Sequence, residues 1–284
     1  MGGLGNQLFQ YAAGKALAMK KGVELALDLS FLNSDAGNRH TKRELELHLF
    51  NTYYKLADTK DLELFIKPNF FKHFIRRFIV RAQLINETAF EYDPDFFSYS
   101  KNTYLSGFWQ SEKYFRHIRE TLLKELVIKK PLPEKCREMA AKIIASNSVS
   151  LHIRRGDYVS NKNASEFHGI TGLDYYYRAM TYMNQKMEAP LNFFIFSDDM
   201  DWVKENLKTK ERCIYIDFNT GEDSVFDLYL MSQCRHNIIA NSSFSWWGAW
   251  LNQNNDKIVV TPKQWFKLQH LNTKDLIPEK WVQL

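Results

Sequence analysis

The run His152-Ile153-Arg154-Arg155-Gly156-Asp157-Tyr158 gathers an imidazole, two guanidiniums and a carboxylate directly after the alternation Val149-Ser150-Leu151-His152-Ile153. Period-two geometry sets His152 and Arg154 on one side at the carboxyl end of a strand. A guanidinium there can grip a phosphate through paired N–H bonds and never loses its charge, which suits a departing diphosphate. Gly156 permits a tight turn, and Asp157 can pair with an arginine or take a proton. The bland alternative is a surface turn with a salt bridge, disfavoured by two arginines at the end of an apolar strand.

Three other runs carry candidate chemistry. Asn192–Phe196 leads into Ser197-Asp198-Asp199, where the adjacent acids sit at a helix start; Ser197 or Asp198 as helix cap accounts for them without a metal. A helix opening near Asp227 precedes a strand that ends in Asn241-Ser242-Ser243 and enters a further helix packed by Trp246, Trp247 and Trp250. Hydroxyls and free N–H groups at a helix N-terminus form an anion site. Gly2-Gly3-Leu4-Gly5-Asn6-Gln7 resembles a dinucleotide loop only in part, since Leu8 stands where the third glycine belongs. Its glycines still allow close backbone approach, and the Asn6 and Gln7 amides can hydrogen-bond a ligand. A loop of that kind normally follows a strand.

The elements needed to position these groups follow from periodicity. Residues 7–21 predict a helix, Glu24–Leu29 a strand, and Thr103–Gly107 a strand running into the loop Phe108-Trp109-Gln110-Ser111-Glu112. Residues 70–81 predict an amphipathic helix with Phe70, Phe71, Phe74, Ile75, Phe78 and Ile79 on one face and five basic residues elsewhere. Such a helix either buries its aromatic stripe or lies on a membrane surface. A helix over 133–146 closes the first half. Strands at Val149–Ile153, Asn192–Phe196, Cys213–Ile216, Asn237–Ala240 and Lys257–Thr261 then alternate with helices near 173–187, 199–207, 224–233 and 244–252. This grammar predicts a parallel, doubly wound sheet. The expected division is 1–146 and 147–284, two α/β domains with ligands at the carboxyl ends of the strands.

Composition narrows the partners. A net charge of +5 over 284 residues suits an anionic ligand, without the dense basic stripe of a nucleic-acid binder. Aromatics at 15% fit sugar stacking as well as a bulky core. Cys136, Cys213 and Cys234 have no metal-type spacing, and their odd number fits a reducing setting rather than a disulfide framework. No apolar run reaches the roughly 18 residues of a membrane span, and no signal peptide is expected.

Together, residues 2–18, 107–115, 152–158, 173–180, 196–207 and 227–251 resemble glycosyltransferase family 11, the α-1,2-fucosyltransferases, in order and along nearly the whole chain. The resemblance implies a GT-B fold, two Rossmann-like α/β domains facing across a cleft. It also implies inverting transfer of L-fucose from GDP-β-L-fucose to the 2-hydroxyl of a terminal β-galactoside, with no metal and no cofactor. Arg154 would hold the β-phosphate, His152 lie near the guanosine, Asp227 read the guanine edge, Ser242 and Ser243 cap the phosphates, and Asn6 approach fucose or acceptor. Arg155, Asp198 and Asn241 complete the expected donor set. The acceptor set is Gln7, Trp109, Gln110, Tyr158 and His168. Asp157, then Glu112, are the candidate bases beside the catalytic Arg154. A bacterial-type member would be cytoplasmic, touching the inner membrane face through 70–81 and acting on a lipid-linked glycan or a free oligosaccharide. The competing readings are another nucleotide-sugar transferase of the same fold, an α-1,3-fucosyltransferase, a nicotinamide oxidoreductase and a non-catalytic sugar-binding module.

Overall fold

The computed structural model describes residues 2–33, 43–63, 65, 80–156, 169, 171–268 and 271–284. The chain forms two compact units, 1–129 with 272–278 and 130–271 with 279–284. The division therefore falls 17 residues before the expected one (146 less 129). The helix expected to close the first domain packs instead within the second unit, against the helix that carries Asp227.

In the first unit, α1 (Leu4–Lys21) buries Leu8, Phe9, Tyr11, Ala12 and Ala16. It begins three residues earlier than expected, so the glycine run is the helix's own entry and first turn. Gly22, left-handed at φ 62°, ends it by donating to the Ala18 and Met19 carbonyls. Two parallel strand pairs follow: β1 (Ala26–Leu27) with β2 (Lys55–Leu56), and β3 (Gln83–Asn86) with β4 (Thr103–Ser106). Short helices α2 (Ser30–Asn33), α3 (Thr59–Glu63) and α4 (Arg119–Glu125) accompany them. Among the described residues the two pairs are separate sheets, so the continuous Rossmann-like sheet expected here is not formed by them. Of the amphipathic stretch 70–81, residues 70–79 lie outside the described residues, and Arg81 at φ 52° is not helical.

The second unit opens with α5 (Glu134–Ile144) and alternates strands with helices as far as β9, after which β10 follows with no helix between them among the described residues. The elements are β5 (Ser148–Ile153), α6 (Leu173–Lys186), β6 (Asn192–Ser197), α7 (Met200–Asn206), β7 (Arg212–Ile216), α8 (Val225–Gln233), β8 (His236–Ile238), α9 (Ser243–Leu251), β9 (Val259–Thr261) and β10 (Val282–Gln283). All six strands are parallel, in the order β10-β9-β8-β5-β6-β7. The chain runs outward from β5 to β7, then returns to the other flank of β5 at β8. The order thus reverses between β5 and β8, and in open parallel sheets the crevice outside that point takes the ligand.

Side-chain alternation along β5 explains how the sheet serves both a core and a site. Val149, Leu151 and Ile153 join Phe193, Ile195, Tyr176, Met183 and Val203 in the apolar cluster under α6 and α7. Ser150 and His152 take the opposite face, toward α8 and α9. There Asn237 donates to the Ser150 hydroxyl at 2.7 Å and to the Met231 carbonyl at 2.9 Å. The Phe244 ring lies 6.0 Å from that of His152. No helix among the described residues is long and apolar enough to cross a membrane.

Candidate active site

Three features of the second unit lie at the carboxyl ends of β5, β6 and β8, and a fourth lies after β7 in the first turn of α8. The first is the β5 end. His152 is 4% exposed, and its Nδ1 has no hydrogen-bond partner among the described residues. Burial, opposed by Asp198 and helped by Arg154, holds its imidazole well below the ordinary histidine range, so the ring is neutral. Arg154 emerges half-buried and pairs with Asp198 at 2.9 Å.

The second feature, the β6 end, braces the first. Asp198 also accepts the Arg155 N–H at 2.9 Å, so one carboxylate steadies both arginines. A Cβ on Gly156 would lie 2.5 Å from the Asp198 Oδ2, which is why glycine follows the arginine pair. Arg155 lies 3.6 Å above the Trp202 ring and 3.3 Å from the Asp199 carboxylate. Asp198 therefore holds Arg154 in place, while Arg155 is fixed against Asp199 and Trp202. The N-cap of α7 is Asp199, not Ser197 or Asp198, and its side chain makes no cap bond; Ser197 instead accepts the Asp199 N–H at 3.0 Å.

The third is the β8 end. Asn241 is buried with its amide fully engaged: Thr171 donates to it at 2.9 Å, and it donates to the carbonyls of Trp265 at 3.1 Å and Gly169 at 3.3 Å. It ties loops together rather than offering itself to a donor. Ser242 is the N-cap of α9, makes no side-chain cap bond, and is followed by no acid in the first turn. Among the described residues no side chain caps α9, so its first N–H groups, with the Ser242 and Ser243 hydroxyls beside them, can meet an anion.

The fourth is Asp227 in the first turn of α8, after β7. Burial pushes its carboxyl up to about 7, opposed by a 2.7 Å bond from the Asn219 amide. Asn219 was not foreseen; it lies in a polar turn with no motif around it.

The expected residues of the first unit divide differently. Gln7 is 2% exposed; its amide donates to the Gly2 and Glu44 carbonyls and accepts the Glu46 N–H, so both of its N–H donors are committed within the fold. Asn6 accepts from the Gln110 amide at 2.8 Å. Gly2, left-handed at φ 76°, would bring a Cβ within 2.4 Å of the Asn6 amide nitrogen. Trp109 is held at φ 56°, a strained value for a bulky residue. Glu87, also unforeseen, enforces it by accepting the Phe108 and Trp109 N–H groups at 2.6 and 2.9 Å. Trp109 Nε1 and Gln110 Oε1 are buried without partners among the described residues. Glu112 opens a short 3₁₀ turn, near enough to the Arg119 guanidinium to favour its charge. Asp157, Tyr158 and His168 lie outside the described residues. Among the described residues, no group of three His, Cys, Asp or Glu side chains is placed to hold a metal ion.

The profile of glycosyl transferase family 11 matches residues 89–284, which take in every feature of the second-unit site. The chain belongs to glycosyl transferase family 11. Along its whole length it is 36% identical to the O-antigen biosynthesis glycosyltransferase WbnK of Escherichia coli, covering 98% of that protein. It is equally 36% identical to an Escherichia coli alpha-1,2-colitosyltransferase, over 100% of this chain and 96% of the relative. Human galactoside alpha-(1,2)-fucosyltransferase 1 is 30% identical over 52% of this chain and 42% of its own. Among solved structures, the fucosyltransferase NodZ from Bradyrhizobium shares 13% identity over 87% of this chain and 88% of its own, at a TM-score of 0.48. This family 11 chain is thus a glycosyltransferase related to α-1,2-fucosyl- and α-1,2-colitosyltransferases. Residues 2–7 and Glu87 precede the family profile, but the two Escherichia coli proteins match across them as well.

Proposed function

We propose that the chain transfers L-fucose from GDP-β-L-fucose to the 2-hydroxyl of a terminal β-galactoside, inverting to an α-1,2 linkage within a GT-B architecture. The observation that carries this reading is the convergence of Arg154 and the uncapped N-terminus of α9 on the reversal point between β5 and β8. Both stabilise negative charge, and neither needs a metal ion to do so.

In this reaction the bond between fucose C1 and the β-phosphate oxygen breaks as the galactose oxygen attacks C1 from the opposite face. Charge growing on the departing GDP meets Arg154, which Asp198 holds in place, and the N–H groups and hydroxyls at Ser242 and Ser243. The acceptor proton passes to a base, for which Asp157 stands first by its place next to Arg155-Gly156. Glu112 is second, being partnered near Arg119. Asp227 accepts the N–H donors of the guanine edge. Trp109, Gln110 and Asn6 support the acceptor side, with Tyr158 and His168 as further acceptor contacts. The acceptor is a free or lipid-linked glycan, met in the cytoplasm at the inner membrane face.

A second reading, transfer of colitose, is favoured by the colitosyltransferase among the relatives. Purified protein incubated with GDP-fucose, lactose and EDTA, followed by GDP release and NMR of the product, tests the first reading. A 2-linked α-fucoside formed under chelation supports donor, linkage and metal independence together. Turnover only with GDP-colitose replaces the sugar while keeping the chemistry, and no GDP binding at all sinks both. Arg154→Ala should lower kcat by about 10²–10³.

A further inference from the structure

We propose that Asn219 is a positioning residue that makes the Asp227 carboxylate selective for guanine, and that Cys136 holds Asn219 in the required orientation. The inference rests on Asp227 being the nucleobase contact, as proposed above.

Asp227 lies in the first turn of α8, partly buried, with one side-chain hydrogen-bond partner and no cationic partner among the described residues. A carboxylate only accepts hydrogen bonds, so the amide nitrogen of Asn219 must face Asp227 Oδ1, as it does at 2.7 Å. The amide oxygen is then turned away, and at 3.2 Å it meets the thiol of Cys136, a fully buried residue of α5. The thiol is a donor, so both ends of the amide are matched. Flipping Asn219 would set its oxygen against the Asp227 oxygen and its NH₂ against the thiol hydrogen. The chain Cys136–Asn219–Asp227 thus has one stable direction, running from α5 through the turn after β7 to the start of α8.

The consequence is a carboxylate whose orientation is set before a ligand arrives. Guanine presents two adjacent donors on its pairing edge, N1–H and the 2-amino group, which match a fixed pair of carboxylate oxygens. Hypoxanthine keeps the first donor and lacks the second; adenine offers an acceptor beside a donor. The Asn219 bond also favours the ionised carboxylate against the effect of burial. The other groups facing this site are few. Cys136 comes from α5, Asp223 and its partner Lys130 flank the preceding turn, and α9 carries no ionisable side chain.

The test is calorimetric binding of GDP, IDP and ADP to the full chain between pH 6 and 9. Wild-type protein is expected to prefer GDP over IDP by about tenfold or more. Asn219→Leu should weaken GDP binding by about tenfold while barely changing IDP, and should move the pH midpoint of GDP binding upward. Cys136→Val should give a smaller loss in the same direction, and Cys136→Ser, which keeps a donor, should restore the wild-type ratio. Cys136→Val carries the test if Asn219→Leu fails to fold. A folded Asn219→Leu or Cys136→Val protein with the wild-type GDP/IDP ratio and pH profile overturns the proposal. A wild-type protein that binds GDP and IDP alike overturns the assignment of Asp227 itself.

Discussion

At the residue scale, the site shifts two ionisable groups, buried His152 and partly buried Asp227, in opposite directions. His152 is kept neutral, while Asp227 is kept from ionising until about pH 7. For Asp227 the folded pKa lies above the unfolded value, so its protonated form is the one folding favours. That contribution is fully present below the ordinary carboxylate pKa of about 4 and is lost as pH rises toward 7. Without nucleotide, Asp227→Asn should therefore gain melting temperature relative to wild type as pH rises from 4 to 8. Parallel thermal melts across that range check it, and a constant difference would contradict the assignment. His152 was legible in the sequence as sharing one side of its strand with Arg154, at the carboxyl end. Its neutral state was not, since that comes from the packing of Phe244 and the strand neighbours around it.

At the element scale, the loop after β4 is built around a carboxylate 21 residues away in the chain. Glu87 holds two backbone N–H groups, and Gly107 leaves room for it, since a Cβ there would come within 2.4 Å of the Glu87 Cβ. Glu87→Ala should release the strained Trp109 turn and cost about 2 kcal/mol, because bonds to a charged acceptor are worth more than neutral ones. Urea denaturation measures the loss. Nothing local in Asn86-Glu87-Thr88 marks this role, whereas the loop's aromatic and amide residues were legible as site candidates. The same contrast holds for Gln7, whose type predicts ligand contact and whose surroundings consume its amide.

At the scale of the whole molecule, the chain does not divide by a single cut. Residues 272–278 return to the first unit, where Asp275 accepts the Tyr92 N–H and pairs with Lys113. The final residues re-enter the second unit, adding β10 to β9 and seating Trp281 5.3 Å from the Trp246 ring on α9. Trp281→Ala should cost about 3 kcal/mol, the usual price of deleting a large buried aromatic. Thermal or urea unfolding of the full chain checks this, and a loss below about 1 kcal/mol would mean the ring is not part of the core.

The sequence by itself determined most of the alternating strands and helices of the second unit, the strand-end placement of Arg154, Asp198 and Ser242, and the place of Asp227 near the start of a helix. These depend on hydrophobic period and on turn residues close by in the chain. Only the tertiary structure decided the strand order that brings the β5 and β8 ends together. It likewise decided that the amides of Asn241 and Gln7 hydrogen-bond within the fold. Those outcomes depend on partners tens of residues away, and no local period records them.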